Sequence, residues 1–326
     1  MRRAVLFLFW IGCLGLYCSC HGQEQQFRCP PCASDCHNTY YSGPGVCPVC
    51  NMSLIPVKEN MYKGYQKALV RIKNGAIGLN AAYYSPTNNE KIKGALVIVH
   101  GSAPSTYEDV SYYTQLGTAL GFAVLAFDKR GVGKSDGNYE LFSVESSVRW
   151  FNLLSSDVVA MVEWLKAKPE LKHAKIGLFG GSQAGWIMPL AASKTSFVDF
   201  MVIGEGVSVS AGEEHFFSQL TGDGITDGLA ISEADEKLQA FDGPRGFDPR
   251  NILQTLNIET LWFFGTNDPV IPVNASIREL ETINNPNFRI QLLPHGDHNF
   301  KNVQSGKRYD LLTYIKPWLT SIGVLD

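Results

Sequence analysis

Ile176-Gly177-Leu178-Phe179-Gly180-Gly181-Ser182-Gln183-Ala184-Gly185-Trp186 reads as a buried strand running through a glycine-flanked serine into a helix. Its first four residues are the short apolar run of a strand covered on both faces. A serine exposed at so sharp a turn needs unusual backbone angles and very small neighbours two residues away. Gly180 is one such neighbour. Ala184 stands where the strict Gly-x-Ser-x-Gly pattern has its second glycine, and Gly185 follows it. The departure is small, because alanine still lets strand and helix pack closely.

Outward from this turn the chain keeps the same rhythm. Short apolar runs at 96–99, 123–127, 200–203, 261–264 and 290–293 read as further buried strands, and 68–71 with 78–84 as an opening antiparallel pair. Val158, Met161, Val162 and Leu165 recur at helical spacing, with Ser156 placed to cap that helix and Pro169 after its end. Strands alternating with helices predict an α/β fold: a mostly parallel sheet with helices on both faces. One interval breaks the pattern. Residues 207–256 separate two strands by some fifty positions, with a helix start at Ser232-Glu233-Ala234-Asp235 and a Gly/Pro/Asp-rich loop over 241–250. An insertion there lies above the carboxyl edge of the sheet, where such folds bind ligands, and reads as a small lid.

The strand ends carry polar motifs. Val99-His100-Gly101-Ser102 closes one strand and Asp128-Lys129-Arg130-Gly131 the next. Gly265-Thr266-Asn267-Asp268 follows a late strand, and Gly296-Asp297-His298-Asn299-Phe300 follows the final one. Serine, aspartate and histidine thus occur in one fixed order. On these motifs residues 60–326 resemble the α/β-hydrolase superfamily, particularly its esterase and serine-peptidase-like branches. The resemblance implies an eight-stranded, mostly parallel sheet with a lid, and hydrolysis through an acyl-enzyme.

Physical chemistry assigns the roles. A serine hydroxyl is a weak nucleophile until a base takes its proton. His298 is the candidate base for Ser182, since an imidazole pKa of about 6.5 suits proton exchange near neutrality. Asp268 would fix its tautomer and stabilise the imidazolium. The backbone N–H groups of Ser102 and Gln183 would bind the oxyanion, each donor worth roughly 3 kcal/mol. His295 is a rival base, but His298 has the Gly-x-His-x-Phe spacing of the family. Glu205, after the strand at 200–203, is a rival acid. His100 is expected to be a structural hydrogen-bonder, and Asp128 and Arg130 to pin a loop by salt bridge. His215, Phe216 and Phe217 either line an acyl pocket or pack the lid onto the body.

The expected activity is hydrolysis of small or medium carboxylic esters, with no cofactor in the chemistry. A serine peptidase on short peptides and a thioesterase use the same three groups and stay open as alternatives. Serine at position 182 argues against a haloalkane dehalogenase, which needs a carboxylate there. The non-enzyme alternative is a metal-binding envelope protein that uses the hydrolase-like domain for binding.

The first sixty residues differ in kind. Arg2 and Arg3 precede an apolar run over 4–17, shorter than the roughly 20 residues of a membrane span, so 1–22 reads as a secretory signal. Tyr17-Cys18-Ser19-Cys20 resembles a bacterial lipoprotein box with Cys20 as the lipidated residue, which would hold the protein at a membrane face. The expected location is therefore the bacterial cell envelope, periplasmic or membrane-anchored. All 8 cysteines of the 326-residue chain lie in the first fifty positions. Cys29, Cys32, Cys47 and Cys50 form a C-x2-C-x14-C-x2-C pattern over a module at 27–58, with Cys36 and His37 as alternative ligands. Four thiolates from two such knuckles suit structural zinc or a related soft metal in a zinc-ribbon-like module. Such a metal would supply the folding energy that thirty residues cannot bury. The stretch resembles the small heavy-metal-binding domain of bacterial envelope proteins, departing from it at Pro31-Cys32 and at Asn51. Disulfides are the other reading, weakened by the odd number of cysteines after the signal. The module is expected to stand apart from the chemistry. The net charge of −3 offers no basic surface, which argues against a nucleic-acid partner.

Overall fold

Alternation of side chains along the central strands divides the core in two. Val97, Val99, Ile176, Leu178, Trp262 and Phe264 point into one buried cluster; Leu96, Ile98, Phe179, Leu261 and Phe263 point into the other. Both faces of the sheet are therefore covered, as a period of two with apolar residues on either side requires. The computed structural model describes residues 26–29, 39–49, 51–57, 62, 64–87 and 92–326. The expected signal at 1–22, Cys20, and the candidate ligands Cys32, Cys36, His37 and Cys50 lie outside the described residues.

Strands β1 (Gln26–Arg28), β2 (Tyr40–Tyr41) and β3 (Ile55–Val57) form a small antiparallel sheet in the order β2-β1-β3. The large sheet has eight strands in the order β11-β10-β9-β8-β6-β7-β5-β4. These are β4 (Tyr65–Asn74), β5 (Ile77–Pro86), β6 (Gly94–Val99), β7 (Ala123–Phe127), β8 (Lys175–Gly181), β9 (Phe200–Gly204), β10 (Glu259–Gly265) and β11 (Phe288–Leu293). Only β5 runs against its neighbours, pairing antiparallel with β4 and β7; every other pair is parallel. Every expected strand is present.

Helices α2 (Ser147–Lys166) and α3 (Ala184–Ala192) pack on one face, α1 (Ser111–Ala119) and α8 (Leu312–Ser321) on the other. Ser156 does not cap α2. The helix starts at Ser147, because Trp150, Phe151 and Leu154 extend its buried stripe toward the N-terminus. Ser156 instead accepts a hydrogen bond from Asn74 at 3.0 Å.

The interval 207–256 holds three helices: α4 (Ala211–Thr221), α5 (Ile231–Leu238) and α6 (Arg250–Thr255). A capping box starts α4: the Glu213 N–H donates to Ser210 Oγ, and the Ser210 N–H donates to Glu213 Oε2 at 2.9 Å. Arg250 ties the insertion to the body. It donates to Glu213 at 2.9 Å and Asp248 at 2.7 Å, and to Glu279 at 2.7 Å on α7 (Val273–Ile283). Among the described residues no helix is long and apolar enough to cross a membrane.

Candidate active site

Ser182 sits between β8 and α3 with φ 57°, a left-handed conformation rare for a side chain with Cβ. Its N–H is held by the carbonyls of Gly204 and Glu205, both at 3.0 Å. The small neighbours are needed where the backbone crowds. A Cβ on Gly180 would stand 2.3 Å from the Val99 carbonyl, and one on Gly185 would stand 2.4 Å from the Val207 nitrogen. The close approach on the helix side thus falls at Gly185, one position later than the strict motif. That is why Ala184 is tolerated.

The acid and imidazole loops touch through glycines as well. A Cβ on Gly265 would meet the Gly296 carbonyl at 2.5 Å, and the Asn267 N–H donates to that carbonyl at 2.8 Å. This contact brings His298 Nδ1 to 2.7 Å from Asp268 Oδ2. Asp268 is 1% exposed, and its Oδ1 accepts the N–H groups of Val270 at 2.7 Å and Ile271 at 3.3 Å. Burial works to lower the His298 pKa, but the charge and hydrogen bond of Asp268, together with the charges of Asp297 and Asp223, make the net shift upward. His295 has no such partner: its backbone N–H donates to Thr266 Oγ1 at 2.8 Å, fixing the loop.

Ser182 and His298 line one cavity of about 240 Å3, with Tyr112, Tyr113, Glu205 and Phe300 on its walls. A second cavity of about 320 Å3 opens from Ser182 toward the insertion, lined by Gln183, Trp186, Phe142, Glu214 and His215. Ser102, Asp223 and Val270 belong to both. Of His215, Phe216 and Phe217, for which the sequence leaves pocket lining and packing both open, His215 lines the second cavity and the two phenylalanines line neither of these two. Phe217 is fully buried between α4 and α5, and Phe216 packs beside it on Phe241. Glu214 faces the second cavity with its pKa raised to about 8, by burial and then by the charge of Asp223.

The loop after β6 is braced by groups the motif reading did not single out. Lys129, 1% exposed, donates to the Gly101 carbonyl, and Tyr139 Oη donates to the Ser102 carbonyl at 2.6 Å. Burial lowers the Lys129 pKa to about 7. Among the described residues neither the Ser102 N–H nor the Gln183 N–H donates to a protein acceptor. His100 is structural, as expected: its Nε2 lies 2.6 Å from the Phe127 carbonyl, and burial with the nearby Lys129 charge lowers its pKa to about 3. Arg130 grips Asp157 of α2 through two bonds of 2.9 and 2.7 Å. Asp128 holds its loop by accepting from Tyr107, Asn80 and Lys134.

In the N-terminal segment Cys29 and Cys47 are buried together, with Met52 and Leu54 against them. Asn51 closes the turn after Cys47 at φ 56°, donating its N–H to the Cys47 carbonyl at 2.9 Å. Asparagine tolerates this conformation better than most residues with a side chain. Among the described residues no group of three His, Cys, Asp or Glu side chains is placed to hold a metal. The segment is not detached from the site. Arg28 donates to the Glu108 carbonyl and to Ser111 at 3.2 Å and pairs with Asp109 at 3.5 Å, while Met52 lines the first cavity.

This sheet order, with Ser182, Asp268 and His298 at carboxyl ends of parallel strands, is that of an α/β-hydrolase fold. Residues 75–222 match the family model of the X-Pro dipeptidyl-peptidases (S15 family). Solved structures agree on the fold. An esterase of Pyrococcus furiosus is 18% identical with a TM-score of 0.58, over 79% of this chain and 91% of its own. A dienelactone hydrolase of Anabaena variabilis is 18% identical with a TM-score of 0.52, over 79% and 98%. An acylaminoacyl peptidase of Pyrococcus horikoshii is 17% identical with a TM-score of 0.57, over 83% of this chain and 46% of its own. No curated protein matches the chain in sequence.

Proposed function

We propose that the protein is a serine hydrolase that cleaves carboxylic esters through an acyl-enzyme. The observation that carries this reading is the 2.7 Å contact of His298 Nδ1 with the buried Asp268, beside the cavity that Ser182 enters from its left-handed turn. His298 takes the Ser182 proton as Oγ attacks the ester carbonyl, and Asp268 stabilises the imidazolium. The Ser102 and Gln183 N–H groups receive the oxyanion. The imidazolium then protonates the leaving alcohol, and water repeats the sequence to release the acid. The insertion at 207–256 acts as a lid over the second cavity.

A peptidase on short peptides is the second reading, favoured by the match of residues 75–222 to the S15 model. The thioesterase and non-enzyme alternatives have no observation of their own. A panel of p-nitrophenyl esters beside aminoacyl and peptidyl anilides separates the first two readings. Ester turnover well above anilide turnover is expected, with a fluorophosphonate probe labelling the wild type and not Ser182→Ala. Ser182→Ala should fold and lose several orders of magnitude in turnover. Substantial activity in the folded variant would remove Ser182 from the mechanism.

For the N-terminal module we propose a structural zinc or related soft metal on Cys29, Cys32, Cys47 and Cys50. The buried pair Cys29 and Cys47 and the tight turn at Asn51 fit thiolate ligation. Bound there, the metal would supply folding energy and no chemistry. Export by the segment 1–22 to the cell envelope, with lipidation at Cys20, is proposed on the basic start and apolar run alone.

A further inference from the structure

Glu205 joins the nucleophile turn to the acid turn. It follows β9 with φ 47° and is 1% exposed. Its carbonyl accepts the Ser182 N–H at 3.0 Å, and its own N–H donates to the Phe263 carbonyl at 2.9 Å. Its Oε2 accepts the Gly265 N–H at 2.8 Å. Gly265 opens the turn that the Asp268 N–H closes onto its carbonyl at 3.2 Å. The remaining oxygen, Oε1, is buried and receives no donor among the described residues. The Glu205 carboxyl lies within hydrogen-bonding reach of Asp268, and the other charge acting on it, Asp297, is also acidic.

Two facing carboxyls, both buried and without a cation between them, cannot both be ionised. Their donors decide which one carries the charge. Asp268 accepts three N–H groups, from Val270, Ile271 and His298; Glu205 accepts one, from Gly265. Burial first, then the charge of Asp268, push the Glu205 pKa well above the ordinary carboxylate range. As an anion Glu205 would leave Oε1 a buried acceptor with nothing to accept. As a neutral acid it turns that oxygen into a donor.

We propose that Glu205 is a neutral carboxylic acid in the working enzyme and donates a hydrogen bond through Oε1 to the Asp268 carboxylate, acting as a positioning residue for the triad. The proposal rests on the triad reading above. It explains why a second carboxyl beneath His298 does no harm. An ionised Glu205 would add negative charge near the imidazole and hold it protonated, unable to receive the Ser182 proton. A neutral one orients Asp268 and leaves the base free.

The test compares Glu205→Gln, Glu205→Leu and wild type by kcat/KM against pH on one neutral p-nitrophenyl ester. Glutamine can accept from Gly265 and donate to Asp268 without a charge. Glu205→Leu, which loses the donor, is expected to cost about ten- to hundred-fold. Its acid limb should move to higher pH, because Asp268 then holds the imidazolium more tightly. Glu205→Gln should restore most of the rate and keep the wild-type position of that limb. If Glu205 is ionised, the glutamine variant removes a negative charge, the limb drops to lower pH, and the proposal is overturned. A collapse of Glu205→Gln to the level of Asp268→Asn overturns it as well.

A readout free of activity is the infrared C=O band of a protonated carboxyl near neutral pH. It should survive in Glu214→Gln, which removes the other strongly raised carboxyl facing the site, and disappear when Glu205→Gln is added to that variant. Absence of the band from Glu214→Gln overturns the proposal even if the glutamine variant at 205 fails to fold. Failure of the fluorophosphonate probe on wild type would instead strike the serine-hydrolase reading, leaving the infrared result to judge the carboxyl pair alone.

Discussion

In the proposed mechanism His298 must be neutral to take the Ser182 proton, so the direction of its pKa shift would set the acid side of the rate profile. The shift is upward: against the effect of burial stand Asp268 first, then Asp297 and Asp223. Activity is therefore present above the raised pKa and lost as pH falls through it, with a midpoint above the unperturbed value of about 6.5. Asp268→Asn removes the first of the charges that raise it. That variant should lose about three to four orders of magnitude in kcat, and its residual activity should show an acid limb at lower pH than wild type. A pH series of kcat/KM on both proteins checks this, and an unmoved limb would detach Asp268 from His298. At this scale the sequence was readable where a motif fixes a residue by its local turn. Ser182, Asp268 and His298 each follow a strand within a recognisable glycine pattern, and the structure brings Asp268 and His298 into contact beside the cavity of Ser182. Lys129, Tyr139 and the protonation of Glu205 were not readable. Their positions depend on which loops meet across the sheet, and the separations involved, from 28 to 60 residues, carry no local signal.

Strands were easier to read than helices, and for a physical reason. A buried parallel strand is an uninterrupted apolar run, so 96–99 or 261–264 announces itself. The N-terminal half of α2 mixes Arg149 and Asn152 with Trp150 and Phe151, which hides its stripe beside the cleaner run from Val158 to Leu165. In the insertion, the signal that could have found α4 was Ser210-Ala211-Gly212-Glu213, a capping box four residues long. For Phe216 and Phe217 the sequence leaves pocket lining and packing open, because two adjacent aromatic residues suit either; α4 and α5 form a small core around Phe217, Ala234 and Leu238. The insertion is held to the body by Arg250, whose guanidinium serves three carboxylates while 23% exposed. Arg250→Ala should destabilise the protein by about 1–2 kcal/mol, discounted from a fully buried network for its access to solvent. The loosened α4 carries Glu214 and His215 away from the second cavity, so KM should rise more than kcat falls. Urea unfolding beside ester kinetics measures both. An unchanged KM would mean that α4 does not shape the bound substrate's environment.

At the scale of the whole molecule, the expectation of an independent N-terminal module meets two contacts. Arg28, 9% exposed, reaches the start of α1 through Glu108, Asp109 and Ser111, and Met52 forms part of the wall of the cavity that Ser182 and His298 share. Neither was legible, because a cysteine spacing tells which side chains can share a metal and says nothing about where the module docks. The proposed triad stands wholly on loops of the large sheet, and a zinc closed by four thiolates would have no position left for water. Removal of residues 1–58 should therefore act on substrate binding and spare the chemistry. KM is expected to rise several-fold while kcat stays within a few-fold, with Ser182 still labelled by the fluorophosphonate. Arg28→Ala in the full-length chain should raise KM in the same direction by loosening the docked module. If the four thiolates hold one metal as proposed, chelation of the intact protein should release about one ion per chain and reproduce the same kinetic change. Metal content by mass spectrometry, measured beside kcat and KM before and after treatment, separates the cases. A collapse in kcat restored by added zinc would place the metal in the chemistry, and an unchanged KM after truncation would mean that the wall at Met52 takes no part in holding substrate.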